Sequence, residues 1–466
     1  MAVYRNFMEI LKIHKRQWPQ IYCILIACFS GIVYGLAFAW TSPSIPKITQ
    51  DKENYDITEK EAAYFTIIPY LAMAVSVLPF SYLNDIIGRK LTIMLMVIPC
   101  IVHWIIIIFA RSVYLFYLAR LFIGVTEFLF ISLPMYVGEI SSPTIRGTWG
   151  NALCFSINFG ILLINIIGSY CSIQQTGYIC LMFCLILVML LPLIPDTPYY
   201  YIIKRDESKA KKTLKWLYQE DNVEDTFQSI KSDVEKRISD TGTWSDLFKI
   251  KSNRDALISC IFVQLAIPFS GFTAFVGYSQ QIFNKTGGEI SAETSSIIIQ
   301  AIISVVCIFT GFTADKIGRK RSFKYSAFSC TILLLIEGLY FWCEQYSPNI
   351  TKNCHWIPLC VMIMFYIIHT IGIGTVSILM LEELFSANVK TKGLCLCTFV
   401  FGVGGALNNE LFNELQFYFG MYASFMFFAC TCAVLFILSF RLIPETSGKT
   451  LQEIQQSFKI EQTNNK

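Results

Sequence analysis

The sequence predicts an all-α membrane protein: twelve transmembrane helices in two repeated six-helix bundles, joined by a cytosolic helical linker. Three observations predict it. Only 15% of the residues are charged while 54% are hydrophobic, against roughly 25% charged in soluble domains. Apolar runs of about 20 residues, long enough as helices to cross ~30 Å of hydrocarbon, recur along the whole chain. A set of polar motifs occurs twice, in the same order.

The duplication is read first, because an internal repeat decides the architecture. Asp85-Ile-Ile-Gly-Arg-Lys90 returns as Asp315-Lys-Ile-Gly-Arg-Lys320, each a polar corner between two apolar runs. Glu139 followed by Arg146 returns as Glu383 followed by Lys390, an acid and a base at equal spacing. Pro195-Asp196-Thr197 returns as Pro444-Glu445-Thr446. The offsets are 315−85=230, 383−139=244 and 445−196=249.

The apolar runs fall at 21–41, 62–83, 91–110, 113–135, 150–170, 178–195, 256–276, 294–312, 324–343, 356–378, 394–416 and 421–442. Glycine and asparagine interrupt the fifth and eleventh. Residues 1–20 form a short cytosolic lead with an amphipathic pattern, and the first run is too long for the core of a cleaved signal peptide. Residues 21–198 make the first bundle. Residues 199–255 carry Ala210, Leu214, Leu217 and Tyr218 at helical spacing among many lysines, which reads as a cytosolic helical linker. Residues 256–442 make the second bundle, and 443–466 a cytosolic tail.

Net charge is +4 and matters only by location. Basic residues crowd the N-terminus, both corners and the linker, which places both termini in the cytoplasm by the positive-inside rule. The sequons at Asn284 and Asn349 fall on the external side of that topology. Cys343 and Cys354 bracket the same external loop; a disulfide there and two free thiols weigh equally, since most of the 17 cysteines sit in apolar runs as small hydrophobes.

No Cys/His metal spacing, phosphate-binding loop or nucleotide fingerprint occurs, and the four histidines are scattered. The sequence therefore indicates no enzyme, no metal and no cofactor. Glu127 lies mid-run, where an unpaired charge costs at least ~2.5–3.5 kcal/mol, so it requires a partner, a cavity or a proton. The first run has no acidic residue. An intramembrane carboxylate is the usual proton relay, so this absence argues for facilitated transport.

These residues resemble the sugar porters of the major facilitator superfamily over nearly the whole chain. The resemblance rests on the Asp-x-x-Gly-Arg-Lys corners, Arg120, Pro134-x-Tyr136-x-x-Glu139 with Arg146-Gly147, Pro195-Asp-Thr-Pro198, Glu383-Leu-Phe with Lys390, and the Pro-Glu-Thr motif. Loop and tail lengths look like those of insect facilitated trehalose and hexose transporters. The resemblance implies two bundles rocking about a central site, with substrate near the midplane. It also implies a cytosolic gate of Asp85, Arg89, Arg120, Glu139, Arg146, Asp315, Arg319, Glu383, Lys390 and Glu445, locking the outward-open state and breaking on the inward swing.

The central site departs from the family pattern. The amides expected in the seventh run are Ile267 and Pro268, and its asparagine is Thr273. The glutamine of the fifth run is Cys154 and the polar residue of the eighth is Ile303, while the tenth reads Gly374-Thr-Val-Ser-Ile378 and the eleventh Phe401-Gly402. Substrate-binding candidates that remain are Asn158, Asn165, Gln264, Ser270, Thr273, Gln300, Thr375, Ser377 and Asn409, with half of them expected to satisfy one another between helices. The leading expectation is a monomeric uniporter of a sugar such as trehalose or a hexose, with the solute and the lipid bilayer as partners and no nucleic acid. The alternatives are a transporter of another small organic solute, a proton-coupled symporter using Glu127 or Glu410, and a sugar sensor that does not transport.

Overall fold

The computed structural model describes residues 17–80, 83–127, 129–142, 145, 149, 151–239, 242–286, 290–352, 354–386, 388–446 and 453. Most of the N-terminal lead and of the C-terminal tail lies outside them.

The first half is built from α1 (Trp18–Phe38), α2 (Thr41–Gln50), α3 (Glu59–Phe80), α4 (Leu83–Ile87), α5 (Arg89–Phe109), α6 (Val113–Thr126), α7 (Leu129–Ile140), α8 (Ala152–Tyr170) and α9 (Ile173–Leu190). Four short helices follow: α10 (Pro198–Ile203), α11 (Glu207–Tyr218), α12 (Glu224–Ser239) and α13 (Trp244–Lys249). The second half comprises α14 (Lys251–Phe269), α15 (Phe272–Gly277), α16 (Ser279–Asn284), α17 (Ala292–Ile317), α18 (Arg319–Tyr346) and α19 (Pro348–Thr351), then α20 (Ile357–His369), α21 (Thr375–Glu383), α22 (Lys390–Tyr418) and α23 (Met421–Leu442). Among the described residues, eleven helical stretches are long and apolar enough to cross a membrane. The fourth predicted run supplies the short apolar α6 and then α7 instead, broken beside Glu127.

The predicted runs and the helices differ in instructive places. The sixth helix begins at Ile173 rather than 178, because Ser172 and Gln175 form a capping box ahead of the apolar stretch. The seventh run is split at Ser270-Gly271 and the tenth by a π-turn over Thr370–Gly374. Hydropathy does not register either break, since the residues on both sides are apolar. The fifth and eleventh runs, interrupted by glycine and asparagine in sequence, are continuous helices.

The halves meet most extensively where α3 packs on α22 and α8 on α17, with α15 and α16 also against α2. Within the first half α1 packs on α8, where a Cβ added at Gly35 would strike the Ile157 carbonyl and one at Gly160 the Ile32 carbonyl. Small residues let backbones approach this closely in a bilayer, where lipid tails are as apolar as any side chain and packing must hold helices together. The intervening short helices have a core of their own: Ile202, Ala210, Leu214, Val223, Phe227, Ile230 and Val234. They are fastened to both halves, through Gln20 Nε2 donating to the Leu217 carbonyl and Gly242 N donating to that of Asn388.

Gly160→Ala is expected to destabilise the detergent-purified protein by about 1–3 kcal/mol, the usual cost of overpacking. An unchanged thermal midpoint would show that α1 and α8 separate without cost.

Candidate functional site

The two corners are built on the same plan. In the first, the chain passes from α4 to α5 through Gly88 at φ 96°, and in the second from α17 to α18 through Gly318 at φ 89°. A left-handed residue is needed to turn so sharply, and only glycine takes it freely. Having no side chain, it cannot cap the helix it opens, and the first N–H groups of α5 and α18 are left over. A carboxylate from the far end of the same half supplies the cap. Asp196 Oδ1 accepts from the backbone N–H of Arg89 at 3.2 Å and of Lys90 at 3.4 Å. Glu445 takes the same position, Oε1 accepting from Arg319 N at 3.0 Å and Oε2 from Lys320 N at 3.3 Å. A Cβ on either glycine would run into the capping carboxylate. Burial pushes the Asp196 carboxyl above its ordinary range, while the N–H groups of Thr197, Lys90 and Arg89 and the Arg89 charge pull it back.

Beside each cap stands a three-residue chain. Arg89 Nη2 pairs with Glu139 Oε1 at 2.9 Å, and the hydroxyl of Thr197 donates to Glu139 Oε2 at 2.6 Å. Arg319 Nη2 pairs with Glu383 Oε1 at 2.9 Å, and that of Thr446 donates to Glu383 Oε2 at 2.6 Å. The ammonium of Lys90 reaches the Pro192 carbonyl and that of Lys320 the Phe440 carbonyl. The repeated threonines stand in the sequence motif, and their recurrence was the signal for this role. Lys390 Nζ donates to the Glu382 carbonyl. Arg146 lies outside the described residues, as do the side chains of Asp85 and Asp315.

Arg120 stands apart from the corners: it sits 139−120=19 residues before Glu139, roughly 28 Å along a helical path at 1.5 Å per residue. It is buried, donating to the carbonyls of Phe65 at 2.7 Å and Ala37 at 2.8 Å. There it braces α1 and α3 near the end opposite the corners. The cap, Arg–Glu and Thr–Glu bonds named above each lie inside one half, so they stiffen that bundle.

Hydrogen bonds between the halves are found at the opposite end and at mid-depth. Tyr278, between α15 and α16, shares a 2.6 Å hydrogen bond with Thr66 of α3, donates to the Ala63 carbonyl, and accepts from Asn413. Gln280 donates to Ser169 of α8 at 2.8 Å. At mid-depth Gln300 Nε2 donates to Asn158 Oδ1 at 3.1 Å, and the Asn158 amide contacts Cys307 Sγ. Between the halves lies a small cavity of about 20 Å³, lined by Thr41, Thr66, Tyr70, Arg120, Thr273 and Asn409 among others.

The sequence-predicted binding residues are dispersed. Thr273 and Asn409 line that cavity. Thr273 accepts from Asn408, while Asn409 donates to the Gly405 carbonyl and keeps a buried Oδ1 with no partner among the described residues. Asn158 and Gln300 bond each other between α8 and α17. Asn165 pairs with Ser42, Ser270 with the Ile267 carbonyl, Ser377 with the Val263 carbonyl, and Thr375 with the Thr370 carbonyl inside the π-turn. Gln264 is half-buried, as is Glu410. Glu127 is buried and accepts from the Tyr34 hydroxyl at 2.6 Å. Sequence reasoning named neither Tyr34 nor Tyr278, because aromatic residues in apolar runs carry no signal of their own. Asn284 and Asn349 are exposed. Cys343 and Cys354 are free thiols, which closes the disulfide alternative.

A family model described as "Sugar (and other) transporter" matches residues 23–458. The facilitated trehalose transporter Tret1 of Polypedilum vanderplanki is 29% identical over 453 residues, covering 94% of this chain and 88% of that protein. Trehalose transporter 1 of Drosophila melanogaster is 27% identical; the match covers 94% of this chain but 52% of the fly protein, so the chain spans about half of that relative's length. Among solved structures, the inward-open xylose transporter XylE from E. coli superposes with a TM-score of 0.75 at 17% identity, over 94% of this chain and 99% of that one. The major facilitator superfamily proton:xylose symporter XylE bound to 6-bromo-6-deoxy-D-glucose gives 0.73 at 19%, over 94% and 99%. The fold is the major facilitator fold of two six-helix bundles.

Arg89→Ala is expected to cost about 3 kcal/mol or more, because it strands a carboxylate in a pair only 2% and 8% exposed. Arg319→Ala is expected to cost less, since its pair is 9% and 26% exposed and water can resolvate Glu383. Thermal unfolding in detergent measures both; the reverse order would remove the ranking by burial.

Proposed function

The chain belongs to the sugar (and other) transporter family, and from that premise we propose that it carries a sugar such as trehalose or a hexose across the cell membrane by facilitated, alternating access. The reading divides the chain into bundles at 21–198 and 256–442, a cytosolic linker at 199–255, and cytosolic segments at 1–20 and 443–466. The corners face the cytoplasm, as their basic residues favour, and Asn284 and Asn349 are the external sites for glycosylation. The transporter works as a monomer.

The observation that carries the mechanism is the contrast between rigid and breakable contacts. Each half is braced internally by a buried Arg–Glu pair and a carboxylate cap. The ties across the halves at the other end are a few neutral hydrogen bonds centred on Tyr278. Neutral bonds contribute about 0.5–1.5 kcal/mol each, few enough for differential substrate binding to outweigh them. Two stiff bodies with weak ties at one end can rock. Thr273, Asn409 and Gln264 are the polar groups we assign to the sugar first, because they line the cleft or remain half-exposed.

Uniport follows from the acids. The first helix contains none, and Glu127 is engaged by Tyr34. Cells lacking their own hexose transporters are therefore expected to gain saturable uptake of labelled trehalose, glucose or fructose, insensitive to a protonophore. No saturable uptake of any of them would overturn the sugar assignment. Strong stimulation by acid would replace uniport with proton coupling through Glu127 or Glu410.

A further inference from the structure

We propose that the second corner is a binding site for the phosphate headgroup of an anionic phospholipid. Lys316, Lys320, Arg321 and Lys324 surround an open depression of about 480 Å³ that also includes Gly318 and Glu445. Both oxygens of that glutamate already accept from the N–H groups of Arg319 and Lys320. It caps the helix from inside the depression, which leaves the four cations facing an open space. Two of them are held in place: Lys320 Nζ donates to the Phe440 carbonyl at 3.0 Å, and Lys324 Nζ stands 3.7 Å over the Phe440 ring. Lys316 and Arg321 are exposed and make no ion pair among the described residues.

The first corner is the internal control. The offset 316−86=230 maps the four positions onto Ile86, Lys90, Leu91 and Met94. The same glycine turn, the same carboxylate cap and the same Arg–Glu–Thr chain form there with one cation instead of four. The three added cations are thus not required by the turn or by the bracing. They exceed what the first corner carries at the same face of the membrane and are free to meet a ligand.

A lipid fits this place better than a soluble anion. Ile317 is 39% exposed, Tyr325 67%, Phe328 50% and Phe440 53%, so the depression opens at the edge of an apolar, lipid-facing surface. Clustered Lys and Arg at the end of a spanning helix attract anionic headgroups, and four cations suit a headgroup with more than one phosphate charge. The inference rests on the membrane-spanning fold and not on the identity of the transported solute.

The test is binding, read without transport. Purified full-length protein in mixed micelles is presented with phosphatidylinositol 4,5-bisphosphate, phosphatidylserine or phosphatidylcholine, and retained lipid is counted by native mass spectrometry. The bisphosphate lipid is expected to be retained over phosphatidylcholine, and the Lys316→Ala, Arg321→Ala, Lys324→Ala triple variant to lose about tenfold of that retention. Grafting Ile86→Lys, Leu91→Arg and Met94→Lys into the wild-type first corner is expected to add a second adduct. This gain does not depend on the triple variant folding. Equal retention of all three lipids, unchanged retention in a folded triple variant, or no second adduct in the graft would overturn the proposal. Binding of soluble inositol trisphosphate or inorganic phosphate as tight as that of the lipid would overturn its lipid source.

Discussion

The rest of the architecture depends on a helix cap supplied from a distance. A glycine that turns the chain sharply cannot also cap the helix it starts, so α5 and α18 begin with unsatisfied N–H groups. Asp196 closes the first of these from 107 residues away, and Glu445 the second from 126. A carboxylate at a helix N-terminus is favoured by the helix dipole as well as by the hydrogen bonds. Each cap therefore joins the end of a half's last spanning helix to the corner after its second. The one-methylene difference is visible in the geometry: Asp196 shares one oxygen between two N–H groups, whereas Glu445 divides two oxygens between them.

This cap explains why the motifs come as a set. The corner supplies glycine and arginine, the fourth span supplies the glutamate, and the Pro-Asp-Thr or Pro-Glu-Thr motif supplies both the cap and the threonine. Removing any one leaves a buried donor or acceptor open, and such groups are expensive where water is scarce. The bonds named here lie inside one half. The sequence reading treats the motifs as a gate that locks one transport state and breaks in the other; the bonds within each half add a bracing role to that expectation. In this structure both braces are intact while the halves are joined at the opposite end by Tyr278 and Gln280.

The features legible in sequence are those that recur with a period or a spacing. Apolar runs marked the spans, the duplication of three motifs marked the two halves, and the motifs brought Arg89 and Glu139 into one constellation, though Asp196, which supplies the cap, was left out of it. What escaped depends on register between helices, which no one-dimensional pattern records. Arg120 belonged by motif to the gate but is spent on backbone carbonyls of α1 and α3, on the other side of the molecule. Glu127 demanded a partner, yet nothing in the chain pointed to Tyr34. Asn158 and Gln300 read equally well as sugar ligands or as each other's partners, and only the packing of α8 on α17 decides for the latter in this state.

The repeat is also unequal, and the inequality has a direction. The second half holds the split at Ser270-Gly271 and the π-turn at Thr370–Gly374, and π-turns concentrate at functional sites because they release a helix from its regular ladder. These two interruptions meet: Phe272, just past the first, stacks on His369, just before the second, at 4.5 Å. Its Arg319–Glu383 pair is also the more exposed of the two. The first half is interrupted beside Glu127 and at Ala39-Trp40 between α1 and α2, and it has the drier brace. A rocking pair whose interruptions meet in one body concentrates its bending there as the cleft opens. The first bend lies next to Thr273, which places deformable backbone beside a group assigned to the cleft and away from the caps that keep each bundle whole.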